Sequence, residues 1–251
     1  MRIKSAYRYQ LFELKKPVII YYIVIVALLI ITAISQTILE RHGFNFSYMG
    51  GFDGATVIFL FVCGLNAFKQ PFHMFLASGI SRKTMFWSSV AAFGTVSVGM
   101  ALLDGIINGI MSSFFRYDSL FAGTFRDRYG IAGGTGITLP MVAEGFVWAI
   151  FCYMAAAIVG LFITTAYYRM NKPLKLAISI GIPVMLFIIL PIVDSSLFNG
   201  AITMGFGRFM SAVTSLLGAG NPYSVVLANA FSIVLFSGLA WLLMRRATVK
   251  V

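Results

Sequence analysis

Long apolar runs separated by short basic connections dominate the chain. Runs at about 17–38, 52–68, 84–113, 140–168, 174–193 and 222–244 carry almost no charge. A hydrocarbon core about 30 Å thick needs roughly 20 helical residues. Each run therefore predicts a membrane-spanning α-helix, the second being short, with Asp53 at its outer end. The strands of a membrane barrel would alternate apolar and polar positions in segments of about ten, and these runs do not alternate. The expected fold is an all-α integral membrane protein, one transmembrane domain over 1–251 with six transmembrane helices.

Three stretches outside the runs have patterns of their own. In 1–16, Ile3, Tyr7, Leu11 and Leu14 make one helical stripe, with Arg2, Lys4, Arg8 and Lys15 away from it. That pattern predicts an amphipathic helix in the membrane interface; the plainer reading is a basic tail that only sets topology. The stretch 114–139 is Gly-rich and is expected as an extracellular loop. The stretch 195–221 is too polar and Gly-broken for a span, yet too apolar for an ordinary loop. A re-entrant hairpin fits it, with Asp194, Ser195 and Ser196 capping its first helix.

Composition agrees with a membrane solvent. Hydrophobic residues make up 59% and charged residues 11%, with a mean hydropathy of +0.90; soluble domains carry about 25% charged residues. The net charge of +11 would suggest nucleic acid only if it were clustered. There is no basic run and no nucleic-acid-binding motif. Placing the N-terminus inside puts five groups of basic positions in order: Arg2, Lys4, Arg8, Lys15 and Lys16; Lys69, Arg82 and Lys83; Arg169, Lys172 and Lys175; Arg245, Arg246 and Lys250 are cytoplasmic; Arg41, Arg116, Arg126, Arg128 and Arg208 are outside. Fourteen against five sets both termini in the cytoplasm of a multi-pass plasma-membrane protein. Pro17 to Leu39 is uncharged and longer than a signal h-region of about 7–15 residues, so it is expected to remain as a span. Cys63 and Cys152 lie in apolar runs and suit buried thiols rather than a disulfide.

The connection Phe75 to Phe86 reads FLASGISRKTMF. Gly79 can end a short helix in the left-handed conformation, and Ser81 can cap the helix that follows. Arg82 and Lys83 then stand in a first turn, against the helix dipole. Either topology and lipid phosphates hold them there, or this cytoplasmic segment, 69–83, docks on a partner with Phe72, Met74, Phe75 and Leu76 as apolar knobs.

On this layout and on Gly79-Ile80-Ser81-Arg82, the chain resembles the permease subunits of ABC exporters of the type-two class. In size and pattern it is similar to the permeases that export phenol-soluble modulins, amphipathic peptide toxins, from Gram-positive bacteria. The resemblance covers the whole chain in layout, while the local motif is four residues. It implies an amphipathic helix before the first span, a re-entrant hairpin before the last, and coupling to an ATPase through Phe72, Met74, Phe75, Leu76, Gly79, Ser81 and Arg82. It also implies a transport subunit rather than an enzyme, and a complex of two copies with two cytoplasmic ATPase subunits. The chain has no G-x-x-x-x-G-K-[ST] sequence, so no cofactor is expected on it, and ATP and Mg belong to the partner ATPase.

Intramembrane acids are functional suspects. Asp104 and Glu144 are the pathway candidates, Asp104 first, because local structure explains it least; a paired interfacial carboxylate is the plainer reading. Ser97, Ala101, Gly105, Gly109 and Ser113 form a small-residue stripe that suits close helix packing, within one copy or between two. Pro183 and Pro191 should kink the fifth run. His42 and His73 fall on opposite sides, which disfavours a metal site. An intramembrane enzyme would need a nucleophile with a base at one depth, and these acids are scattered. A non-transporting scaffold or immunity protein that sequesters peptides would share every feature above.

Overall fold

The computed structural model describes residues 2–42, 49–114, 117–125, 139–185, 189–197, 204–205, 208 and 221–245. Among them, nine helices follow one another. They are α1 (Arg2–Arg41), α2 (Phe52–Asn66), α3 (Lys69–Ala77), α4 (Arg82–Phe114), α5 (Leu120–Phe125), α6 (Leu139–Arg169), α7 (Lys172–Val184), α8 (Leu190–Leu197) and α9 (Pro222–Arg245). A two-residue parallel bridge joins β1 (Met49–Gly50) to β2 (Tyr117–Asp118), with Met49 opposite Tyr117. Among the described residues the secondary structure is all helical apart from this bridge.

Four helices, α1, α4, α6 and α9, are long and apolar enough to cross a membrane, and the chain is a multi-pass membrane protein. The expected six spans are not all single helices of spanning length. At about 1.5 Å per residue, the 15 residues of α2 reach about 22 Å, short of the hydrocarbon core. The fifth run is described as two α-helical stretches, α7 and α8, with Met185 and Ile189 in π-helical conformation at their facing ends. Pro191 stands in the first turn of α8, where its missing N–H leaves the carbonyl four residues back without that partner. Asp194 lies inside α8 and is buried, so it does not cap a hairpin. Most of 195–221, and of the loop 114–139, lies outside the described residues.

The N-terminal segment differs from expectation. Residues 2–16 continue into the first span without a break, through Pro17. They stand upright beside α4, because polar side chains fasten them there. Gln10 donates to Ser89 at 2.9 Å, and the Tyr7 and Thr95 hydroxyls share a hydrogen bond at 2.8 Å. The face turned inward carries Ala6, Gln10 and Leu14, whereas Ile3 is exposed, Leu11 is half-buried and Arg8 is exposed.

α6 is the centre of the bundle, flanked by α2, α4 and α9, and α1 packs along α4 and touches α2. The closest approach is between α2 and α6. A methyl group on Gly64 would stand 2.1 Å from the Ala157 carbonyl oxygen, and one on Gly160 would stand 2.3 Å from that of Phe61. Only hydrogen fits between the backbones. The Thr164 hydroxyl donates to the Leu65 carbonyl beside this crossing. The outer faces are apolar: Ile23 and Ile30 of α1, Ile106 of α4 and Phe231 of α9 are exposed, as lipid-facing side chains should be.

Gly64→Ala and Gly160→Ala are expected to destabilise the protein by about 1–3 kcal/mol or more, since a backbone atom cannot yield as a side chain can. Gly99→Ala, which meets nothing within 4 Å, should be neutral or slightly stabilising. Thermal unfolding in detergent compares the three; equal behaviour would contradict the close crossing.

Candidate functional site

A buried polar knot ties four helices around Asp104. This residue is 2% exposed, on the inward face of α4. The Tyr22 hydroxyl of α1 donates to Oδ1 at 2.7 Å and the Tyr153 hydroxyl of α6 donates to Oδ2 at 2.5 Å. The Tyr22 hydroxyl also lies 3.1 Å from the Met100 carbonyl oxygen. Thr56 of α2 is buried beside this knot and shares a 2.7 Å hydrogen bond with the Tyr21 hydroxyl. Tyr21 in turn stacks on Phe59, with ring centroids 4.4 Å apart. A buried carboxyl is tolerable only when its oxygens are satisfied, and each oxygen here has a phenol. Asp104 is thus a joint between helices, and its acceptors point to tyrosines rather than to an open passage.

Asp53 builds a second joint. Its Oδ1 accepts from Asn108 Nδ2 at 3.0 Å, and its Oδ2 accepts from the Leu120 amide at 2.9 Å. It therefore fastens α2 to α4 and caps the start of α5. α5 lies on α6 through Phe121, Phe125 and Trp148. Glu144, the other candidate from the sequence, is half-buried and accepts from the Tyr223 hydroxyl at 2.8 Å, joining α6 to α9. The structure does not bring Asp104 and Glu144 into one site. Among the described residues, no group of three or more His, Cys, Asp or Glu could hold a metal ion.

The connection between α2 and α4 has the helix, break and helix that its residues predict. Gly79 has φ +68°, and the Ile80 amide donates to the Phe75 carbonyl at 2.9 Å, the bond that closes a helix ending in a left-handed residue. Ser81 Oγ accepts from the Thr84 amide at 3.2 Å, capping α4. Arg82 has an occupation not expected from the sequence. Its Nη1 donates to the Arg245 carbonyl at 2.9 Å, so the guanidinium neutralises the carbonyl end of α9. Phe86 and Trp241, 5.4 Å apart, pack beneath it.

The apolar knobs need correction. Phe72 and Phe75 are 0% and 1% exposed. Phe72 stacks on Phe68 and meets Tyr168, while Phe75 meets Tyr9 edge-on. They hold α3 down on the bundle and cannot project toward a partner. Met74 faces outward, and the Leu76 side chain lies outside the described residues. The small-residue stripe also divides: Ser97 and Ala101 are buried, while Gly105 and Ser113 are exposed.

Sequence reasoning missed Tyr22, Tyr153, Thr56 and Asp53. The signal was present in tyrosines inside apolar runs, because a buried phenol needs a partner. Tyr153→Phe or Tyr22→Phe should lower stability by about 1–3 kcal/mol by leaving a buried acceptor short of a donor. Asp104→Ala, which frees both phenols at once, should cost more than either. Chemical denaturation in detergent measures these, and a neutral Asp104→Ala would remove the joint.

The likeness in layout to exporter permeases stands alone: no family model, no curated protein and no solved structure matches this chain.

Proposed function

We propose that the chain is the membrane-spanning subunit of an ATP-driven exporter, seated in the plasma membrane with both termini cytoplasmic. ATP and Mg are held by a separate cytoplasmic ATPase, and the working unit is two copies of this chain with two ATPase subunits. α2 and the α7–α8 segment are then the two further crossings. The cargo is an amphipathic peptide or another hydrophobic molecule, a choice that rests on the resemblance.

The observation that carries the reading is the short helix α3. It stands between α2 and α4 on the side where basic residues gather, closed at Gly79 and followed by the capped start of α4. Phe72 and Phe75 root it in the core, so force applied to its outer side, where Met74 lies, reaches the bundle directly. A rigid-body movement of packed helices is the usual form of such a switch.

Inverted vesicles test the proposal. ATP-dependent uptake of an amphipathic peptide is expected only when the partner ATPase is present. Met74→Glu should weaken stimulation of ATP hydrolysis while leaving the protein inserted, because a carboxylate in an apolar contact is costly. Uptake without any ATPase would contradict the assignment; binding of peptide without uptake would favour the sequestering scaffold. Cysteines at Gly123 and Lys83, both exposed, should be labelled by an impermeant thiol reagent from outside and inside respectively. The reverse pattern would overturn the orientation.

A further inference from the structure

The contacts of α1 fix its height against its neighbours. Tyr22 meets Asp104, Gln10 meets Ser89, and Ile25 and Leu29 pack with Met111. α1 and α4 therefore run side by side in the same direction, with residue numbers about 80 apart at equal height. Lys15 and Lys16 consequently stand level with the middle of the α4 run, near Val96 to Val98. They are exposed, on the same outward stripe as Phe12, Ile19 and Ile23, which are 68%, 47% and 64% exposed.

The other helices mark the end of the apolar layer elsewhere. On α6, Tyr153 is level with Asp104, and the next basic residue is Arg169, 16 residues on, or about 24 Å. Arg82, at the same end of the bundle as Arg245, lies farther still along α4. Lys15 is only seven residues from Tyr22, or about 10 Å. The two lysines thus sit about 14 Å inside the boundary that Arg169 sets, on a face turned to lipid. A lysine stem reaches out only about 6 Å, too little to bring these ammonium groups to that surface.

We propose that the phosphate of an anionic lipid in the inner leaflet is bound at Lys15 and Lys16, with the bilayer drawn inward along this flank of α1. Charge complementarity selects the occupant: Lys15 and Lys16, adjacent cations on an exposed stripe with Arg8 and Lys4 on its N-terminal side and Ile19 and Ile23 on the other, suit a phosphate whose acyl chains lie along Ile19 and Ile23. Local thinning of the bilayer is the ordinary response to such a mismatch.

Nanodiscs of mixed phosphatidylglycerol and phosphatidylcholine test this. Native mass spectrometry of the released protein should show retained phosphatidylglycerol. Lys15→Gln or Lys16→Gln should reduce retention about 5-fold, and the double variant about 25-fold, at roughly 1 kcal/mol per cation. Lys83→Gln should change little. Equal retention by the double variant and the native chain overturns the proposal, as does displacement of the lipid by inorganic phosphate, which would indicate a free-ion site. A spin label on Phe12→Cys should be reached by oxygen and not by a water-soluble nickel chelate. Access by the chelate would mean that this end of α1 stands in water, and would also overturn the proposal.

Discussion

A carboxyl group seated among apolar helices has to find its hydrogen bonds within the protein, and Asp104 finds them on two other helices. Tyr22 and Tyr153 reach it from α1 and α6, and next to Tyr22 the Tyr21 hydroxyl joins Thr56 of α2. In lipid there is no general hydrophobic force to order one apolar helix against another; packing and interhelical hydrogen bonds do that. A polar joint has a direction and a fixed reach, so it sets rotation and height together. Turning α1 by one residue would carry Tyr22 off the carboxyl. The height of Lys15 and Lys16 follows from the same contact.

Close packing completes what the joint begins. Gly64 and Gly160 let α2 and α6 touch through their backbones, and the large aromatic side chains of Phe68, Phe72, Phe75 and Phe93 fill the space left toward α3 and α4. At the basic end, Arg82 draws the last turn of α9 to the first turn of α4. A cation in a first turn is unfavourable for its own helix. Here it serves the carbonyl end of a neighbouring one, and the two effects belong to a single side chain.

The apolar runs made the long helices legible, because length and absence of charge are one-dimensional properties. Gly79 and Ser81 were legible for the same reason: their roles depend on neighbours three or four residues away. What escaped were contacts distant in sequence. Tyr153 and Asp104 are 49 residues apart and Arg82 and Arg245 are 163 apart, so their pairing waits on the fold. The N-terminal stripe shows the same limit. Its amphipathic pattern was correctly seen as helical, but Gln10 and Ser89 decide that the helix stands upright beside α4. Phe72 and Phe75 were read as free to project because a short apolar helix has no mark to distinguish an anchor from a knob. The fifth run was long enough to span by composition, and the π-helical Met185 and Ile189 between α7 and α8 carried no mark in its pattern.

Paired cysteines in native membranes test the arrangement of α1 against α4 most directly, in a background with Cys63 and Cys152 replaced by alanine. Gln10→Cys with Ser89→Cys should be joined within one chain by a short bifunctional thiol reagent, and Gln10→Cys with Met111→Cys should not. Absence of the first cross-link, or formation of the second, would contradict an upright α1 held at the height that Tyr22 and Asp104 impose.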